Sequence, residues 1–212
     1  MRLTVFGATG GTGRLVVEQA LDGGHEVRAV VRDPARLSVA HPALDVVAAD
    51  LAAPASLKPA LDGSDAVVSA LGPRGRKDTS GICHNGTRSI LTAMRDTGVR
   101  RIVVVSAQPA LRSGAGEPFW FRHTVTALVR AVYRTTYDDM ERMERLLAGS
   151  DADWTVVRPP YLTDKPGTGR YRTALEKNIT GSSLPRADLA TALLAAVEDP
   201  ALVRHAVGVT GG

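Results

Sequence analysis

Apolar positions along this chain gather into short, β-branched runs separated by longer stretches with helical spacing, and the two kinds alternate. Leu3–Phe6 reads as a first strand, and Gly7–Gly13 as a glycine turn. Leu15, Val16, Gln19 and Ala20 then open a helix that Gly23 and Gly24 stop. Strands are predicted over Val27–Val31 and Asp45–Ala49, a short helix over Pro54–Leu61, and a fourth strand over Ala66–Leu71. A helix through Ile90, Ala93 and Met94 ends at Gly98, and Ile102–Val105 makes a fifth strand. Apolar runs of this kind, spaced by helices, are what a parallel sheet covered on both faces requires.

The second half is less regular. Gln108–Pro118 is rich in Gly and Pro and reads as a loop, while Phe119 to Arg134 and Tyr137 to Leu147 read as helices. Met140, Met143 and Leu147 share one helical face. Trp154–Val157 is a sixth strand, Pro159–Gly169 is irregular, and Leu189, Leu193 and Val197 mark a last helix. Ala206–Val209 is expected to close the sheet as an edge strand. With no repeat and no linker, the 212 residues form one expected domain, a doubly wound Rossmann-like α/β sheet flanked by helices.

Composition narrows the classes. Hydrophobic residues at 44% and charged residues at 23% exclude a disordered chain. A lone cysteine, Cys83, builds neither a disulfide framework nor a Cys-rich zinc site, and the five histidines are dispersed, so no metal is expected. No apolar run reaches 18 residues and Met1–Gly7 leads straight into a strand, which reads as a cytoplasmic protein without a membrane span. The net charge of +4 favours anionic partners. Arginines are scattered, however, and the longest basic cluster, Arg74-Gly75-Arg76-Lys77, sits in a Gly/Pro loop, so a phosphate-bearing small molecule fits better than nucleic acid. A monomer or weak homodimer is expected.

The sharpest motif is the turn itself. Gly7, Gly10 and Gly13, with Thr9, Gly11 and Thr12 between them, lie between a strand and an amphipathic helix. Residues without Cβ let a pyrophosphate approach the backbone, where a helix N-terminus offers free N–H groups and a positive dipole. A Walker loop would need Lys after the last glycine, and Arg14 stands there instead. About 20 residues beyond such a turn, the end of the second strand selects the cofactor's ribose. Arg32 occupies that place, with Arg36 nearby: a guanidinium offers forked donors to a 2′-phosphate, where an acid would repel it. NADP is therefore expected, while Asp33 leaves NAD arguable.

Taken together these residues resemble the atypical short-chain dehydrogenase/reductase superfamily, in its single-domain NAD(P)H-binding branch. Ala49-Asp50-Leu51, Ser69-Ala70-Leu71-Gly72, Val105-Ser106-Ala107 and Arg158-Pro159-Pro160 continue the likeness over most of the chain. Within that branch the chain resembles the biliverdin-IXβ reductases, also called flavin reductases, in Asp138-Asp139-Met140 and in the segment from Asp164 to Tyr171. The resemblance implies that Asp50 and Leu51 contact the adenine, and that Ala70, Leu71 and Gly72 line the path to the nicotinamide ribose. It further implies that Ser106 faces the nicotinamide and that Pro159 belongs to the cofactor site. A bland account stands beside each: Asp50 as a turn residue, Ser106 as a packed hydroxyl.

The mainstream superfamily carries a catalytic Tyr and Lys four apart on one helix. Here Tyr133 is followed by Tyr137 and Tyr137 by Glu141, and Tyr161 with Lys165 falls between Pro160 and Pro166, where a helical turn is disfavoured. Ordinary alcohol dehydrogenation is thereby in doubt. A flavin, bilin or quinone delocalises its own negative charge and asks mainly to be held flat against the nicotinamide. The expected function is NADPH-dependent hydride transfer to such an acceptor, FMN or another flavin included, with Ser106 and Tyr161 as the candidate catalytic residues. Tyr161 is otherwise a loop tyrosine, and Phe119-Trp120-Phe121 either stacks on the acceptor or packs a helix start. The alternative is a regulator that senses NAD(P) without turnover, resembling nitrogen-metabolite-repression-like regulators. A sugar-nucleotide epimerase ranks lower because 212 residues leave no room for a larger substrate domain.

Overall fold

The apolar runs of the first half lie side by side in one sheet in the computed structural model of the chain, which describes residues 1–75, 78–181 and 183–212, leaving aside the side chains of 121 and 122. Strands β1 (Arg2–Phe6), β2 (Glu26–Val31), β3 (Leu44–Ala48), β4 (Ala66–Ser69), β5 (Arg101–Val105) and β6 (Asp153–Arg158) all pair in parallel. Four further strands follow: β7 (Tyr161–Thr163), β8 (Tyr171–Leu175), β9 (Ser183–Pro185) and β10 (His205–Gly211). The main sheet runs β3-β2-β1-β4-β5-β6-β10-β8, with only β8 antiparallel, and β7 pairs with β9 apart from it. Helices are α1 (Gly11–Asp22), α2 (Lys58–Leu61), α3 (Ile82–Thr97), α4 (Phe119–Phe121), α5 (Ala127–Val132), α6 (Arg134–Ala148) and α7 (Arg186–Glu198).

Two apolar layers sandwich this sheet, and the period-2 alternation of each strand supplies both. Val103 joins Val5, Val17, Leu189 and Leu193 in the layer under α1 and α7. Its neighbours Ile102 and Val104 point the opposite way, into the layer of Ile90, Met94, Met143 and Leu147 under α3 and α6. The chain is thus a single-domain α/β protein with a mostly parallel eight-stranded sheet.

Four expectations are corrected. Ala206–Val209 lies within β10, which is not an edge: β6 flanks it on one side and β8 on the other, and Val209 is fully buried. The true edge, β8, escaped the apolar pattern because a strand paired on one side keeps polar, exposed residues such as Arg172 and Thr173. Pro159–Gly169 is not wholly irregular, since Tyr161–Thr163 finds a parallel partner 22 residues later, a non-local pairing that no local signal announces. The fourth strand ends at Ser69, freeing Ala70 and Leu71 to leave the sheet. Finally, Phe119–Arg134 is not one helix: Arg122–Thr126 adopts the wider π pitch and a break at Tyr133 starts α6 at Arg134. Within the basic cluster, Arg76 and Lys77 lie outside the described residues.

Candidate functional site

The glycine turn is built by contact between backbones. Gly7 takes φ +78°, and a Cβ there would stand 2.5 Å from the Ala70 carbonyl oxygen. A Cβ on Gly13 would stand 2.1 Å from the Gly7 carbonyl oxygen, so α1 can approach β1 only without one. The Gly10 N–H donates to Gly7 O at 2.9 Å and closes the turn. Gly10 then caps α1 without a side-chain acceptor and no acid occupies the first helical turn, which leaves the N-terminal amides available to an anion.

Beyond the carboxyl ends of β1, β2 and β4 opens a cleft of about 690 Å³. Gly7, Thr9 and Gly10 line it on one side, and Leu51, Ala70, Leu71 and Gly72 on another. Arg32 and Arg36 line its outer end, and neither guanidinium has an ion-pair partner among the described residues. Asp33 is absent from the wall: its carboxylate accepts the Ala35 N–H at 3.1 Å and caps the 3-10 turn Pro34–Arg36. At the opposite lip, hydrogen bonds from the Arg74 amide and then from the Ser80 hydroxyl and amide hold the Asp78 carboxyl down to about 2. The carboxylate at this lip is therefore ionised at any physiological pH.

Other expected site residues fall elsewhere. Gly11, Thr12 and Gly13 sit inside the first turn of α1 rather than on the wall of the cleft. Asp50 is exposed and accepts the Ala52 N–H at 2.9 Å, the turn role weighed above. Pro159 is buried and its carbonyl accepts the Gln108 N–H at 2.9 Å. Tyr161 is 76% exposed on β7, and Phe119 and Trp120 are 73% and 65% exposed, away from the cleft. The side chain of Phe121 lies outside the described residues.

Ser106, at the end of β5, is 2% exposed, and its hydroxyl donates to Glu144 Oε1 at 2.6 Å. Glu144 comes from α6 and also receives Arg158 through Nε at 3.0 Å and Nη2 at 2.5 Å. This buried Ser106–Glu144–Arg158 assembly was not found from sequence, because Glu144 carries no motif and lies 38 residues from Ser106. A second unforeseen contact joins α6 to α3. Asp139 accepts the Cys83 and His84 amides at 2.9 and 3.2 Å, capping α3 with a carboxylate. Burial first, and Asp139 second, push the Cys83 thiol well above its ordinary range, so it stays a thiol. A third is Arg186, whose side chain lies over Gly11 (a Cβ there would be 3.0 Å from Arg186 Cδ), held by Asp164 at 2.7 Å.

A glycine turn at the first strand-to-helix connection of a parallel sheet, opening on a cleft with two free guanidinia, defines a dinucleotide-binding Rossmann-like protein. The comparison with known families agrees: residues 7–200 match the family described as NAD(P)H-binding, and the chain belongs to it. Its relatives include a chloroplastic protein of Arabidopsis thaliana, 30% identical, with 87% of this chain and 68% of that one covered. The uncharacterized sugar epimerase YhfK of Bacillus subtilis is 24% identical over 100% of this chain and 95% of its own length. Among solved structures, a short-chain dehydrogenase/reductase of Veillonella parvula in complex with NADP superposes with a TM-score of 0.78 at 17% identity, covering 99% of this chain and 94% of that one. That likeness shows the fold. Among the described residues no group of His, Cys, Asp and Glu is arranged to hold a metal, and no helix is long and apolar enough to cross a membrane.

Proposed function

We propose that the protein is an NADPH-dependent oxidoreductase that passes hydride to a conjugated acceptor, a flavin, bilin or quinone. The observation that carries the cofactor choice is the pair Arg32 and Arg36 on the cleft wall, with Asp33 turned away to cap its own turn. The Gly7–Gly10 backbone, which a Cβ would obstruct, suits a pyrophosphate, and the two guanidinia suit a 2′-phosphate. NADPH, when bound, supplies the hydride. The acceptor spreads the incoming charge over its own conjugated system, so the protein's task is to hold it flat and exclude water. Ser106 serves as a positioning group held by Glu144, and Tyr161, exposed on β7, is the second candidate contact for the acceptor.

The test is oxidation of NADPH, followed at 340 nm, against FMN, riboflavin, biliverdin and simple quinones. Turnover with at least one is expected. Tight NADPH binding without turnover on the whole panel would transfer the chain to the regulator reading, which the burial of Ser106 on Glu144 favours. Ser106→Ala removes one hydrogen bond to a carboxylate, and kcat is expected to fall about 10-fold with NADPH affinity unchanged. An unaltered kcat makes Ser106 a packing residue.

A further inference from the structure

Away from the cofactor cleft, two neighbouring hollows of about 660 and 420 Å³ lie beside α6 and share Arg112, Glu141 and Arg145. Six arginines and four carboxylates line the two together. Every carboxylate is engaged. Glu141 takes Arg112 at 2.5 Å and also Arg130, and these bonds outweigh its burial and bring its carboxyl below the ordinary value. Glu144 takes Ser106 and Arg158, Glu176 takes His205 at 2.8 Å and the Ala206 amide at 3.1 Å, and Asp138 takes Arg134 at 3.5 Å.

Three donor groups, by contrast, are left over. Arg158 is 7% exposed, yet its Nη1 has no partner among the described residues, and neither has the buried Nε1 of Trp154. Arg145 makes no ion pair or side-chain hydrogen bond with any described residue. All three residues line the same 420 Å³ hollow. Buried donors without acceptors are expensive, and a site whose acceptors are spent while some donors stay unpaired is completed by a group that only accepts. We propose that this hollow binds a small organic anion, a carboxylate or phosphate, on Arg145, Arg158 and Trp154. Glu144 links Arg158 to Ser106, so the anion sits one ion pair from the expected reaction centre. If the reductase reading holds, the anion is either the acceptor's own tail or a separate effector.

Trp154 is the reporter. The chain has two tryptophans, and Trp120→Phe leaves Trp154 as the only one. This protein is titrated with inorganic phosphate, FMN and riboflavin while Trp154 emission and flavin fluorescence are followed. Phosphate is expected to change Trp154 emission, and FMN to bind at least 10-fold more tightly than riboflavin, which lacks only the phosphate. Arg145→Ala, at a side chain that makes no ion pair or hydrogen bond with the described residues, should erase that preference and leave Tm unchanged. Phosphate that competes with FMN identifies an acceptor tail, and phosphate that binds beside FMN identifies an effector. Equal affinities for FMN and riboflavin, with Trp154 silent to phosphate, overturn the site. Failure of turnover with an intact Trp154 response would sink the reductase reading alone.

Discussion

Replacing Gly13 by alanine is expected to lower the melting temperature by about 6–12 °C and to abolish cofactor binding with it. The new methyl carbon would lie 2.1 Å from Gly7 O, 2.6 Å from Gly7 C and 3.0 Å from Ala8 N. All three are backbone atoms of the turn, so no side chain can swing aside, and α1 must lift off β1. Overpacking of this kind costs about 3 kcal/mol, and a domain of this size loses about 2–4 °C per kcal/mol. Gly72→Ala is the control. It lines the same cleft, its Cβ would meet nothing within 4 Å, and its backbone is not left-handed. That variant should melt like the parent while binding NADPH less well, because its methyl group occupies cleft volume. Calorimetry on both variants separates a glycine that the fold needs from one that the ligand needs. An unchanged melting temperature for Gly13→Ala would contradict the packing of α1 on β1.

Arg32→Ala is expected to weaken NADPH binding roughly 10- to 150-fold and to leave NADH nearly unmoved. The argument is one of charge. A charge-assisted hydrogen bond contributes about 1.5–3 kcal/mol, and only the 2′-phosphate of NADPH can receive it. Arg36, on the same wall, retains part of the preference, so the double variant should erase it. Raising salt should weaken NADPH more than NADH, since an exposed guanidinium is screened. Isothermal titration of both cofactors decides the matter. Equal dissociation constants in the parent protein would return the ribose to Asp33 and the choice to NAD, against the cap that Asp33 makes on Ala35.

The glycine spacing, the position of Arg32 at the end of β2, and the alternation of β-branched runs with helical stretches were legible in the order of residues. Each is a local property: a turn that tolerates no Cβ, a strand end, a period of 2 or 3.6. They sufficed for the parallel sheet and for Gly7, Thr9, Gly10, Arg32, Arg36, Leu51, Ala70, Leu71 and Gly72, which the fold gathers around one cleft. Tertiary structure alone decided where the remaining polar groups went. Ser106 is turned onto Glu144 because α6 packs beside the turn that follows β5, and Asp139 becomes a cap because α6 lies beside the start of α3. The edge strand β8 and the β7–β9 pair depend on partners far along the chain, and their residues carry the mixed polarity of half-exposed strands. Hydrophobic periodicity records which side of an element is buried, and it is silent about which element does the burying. A carboxylate finds its cation only when a helix and a strand are brought together, so the contact of Glu144 on α6 with Arg158 on β6 became visible only in the folded chain.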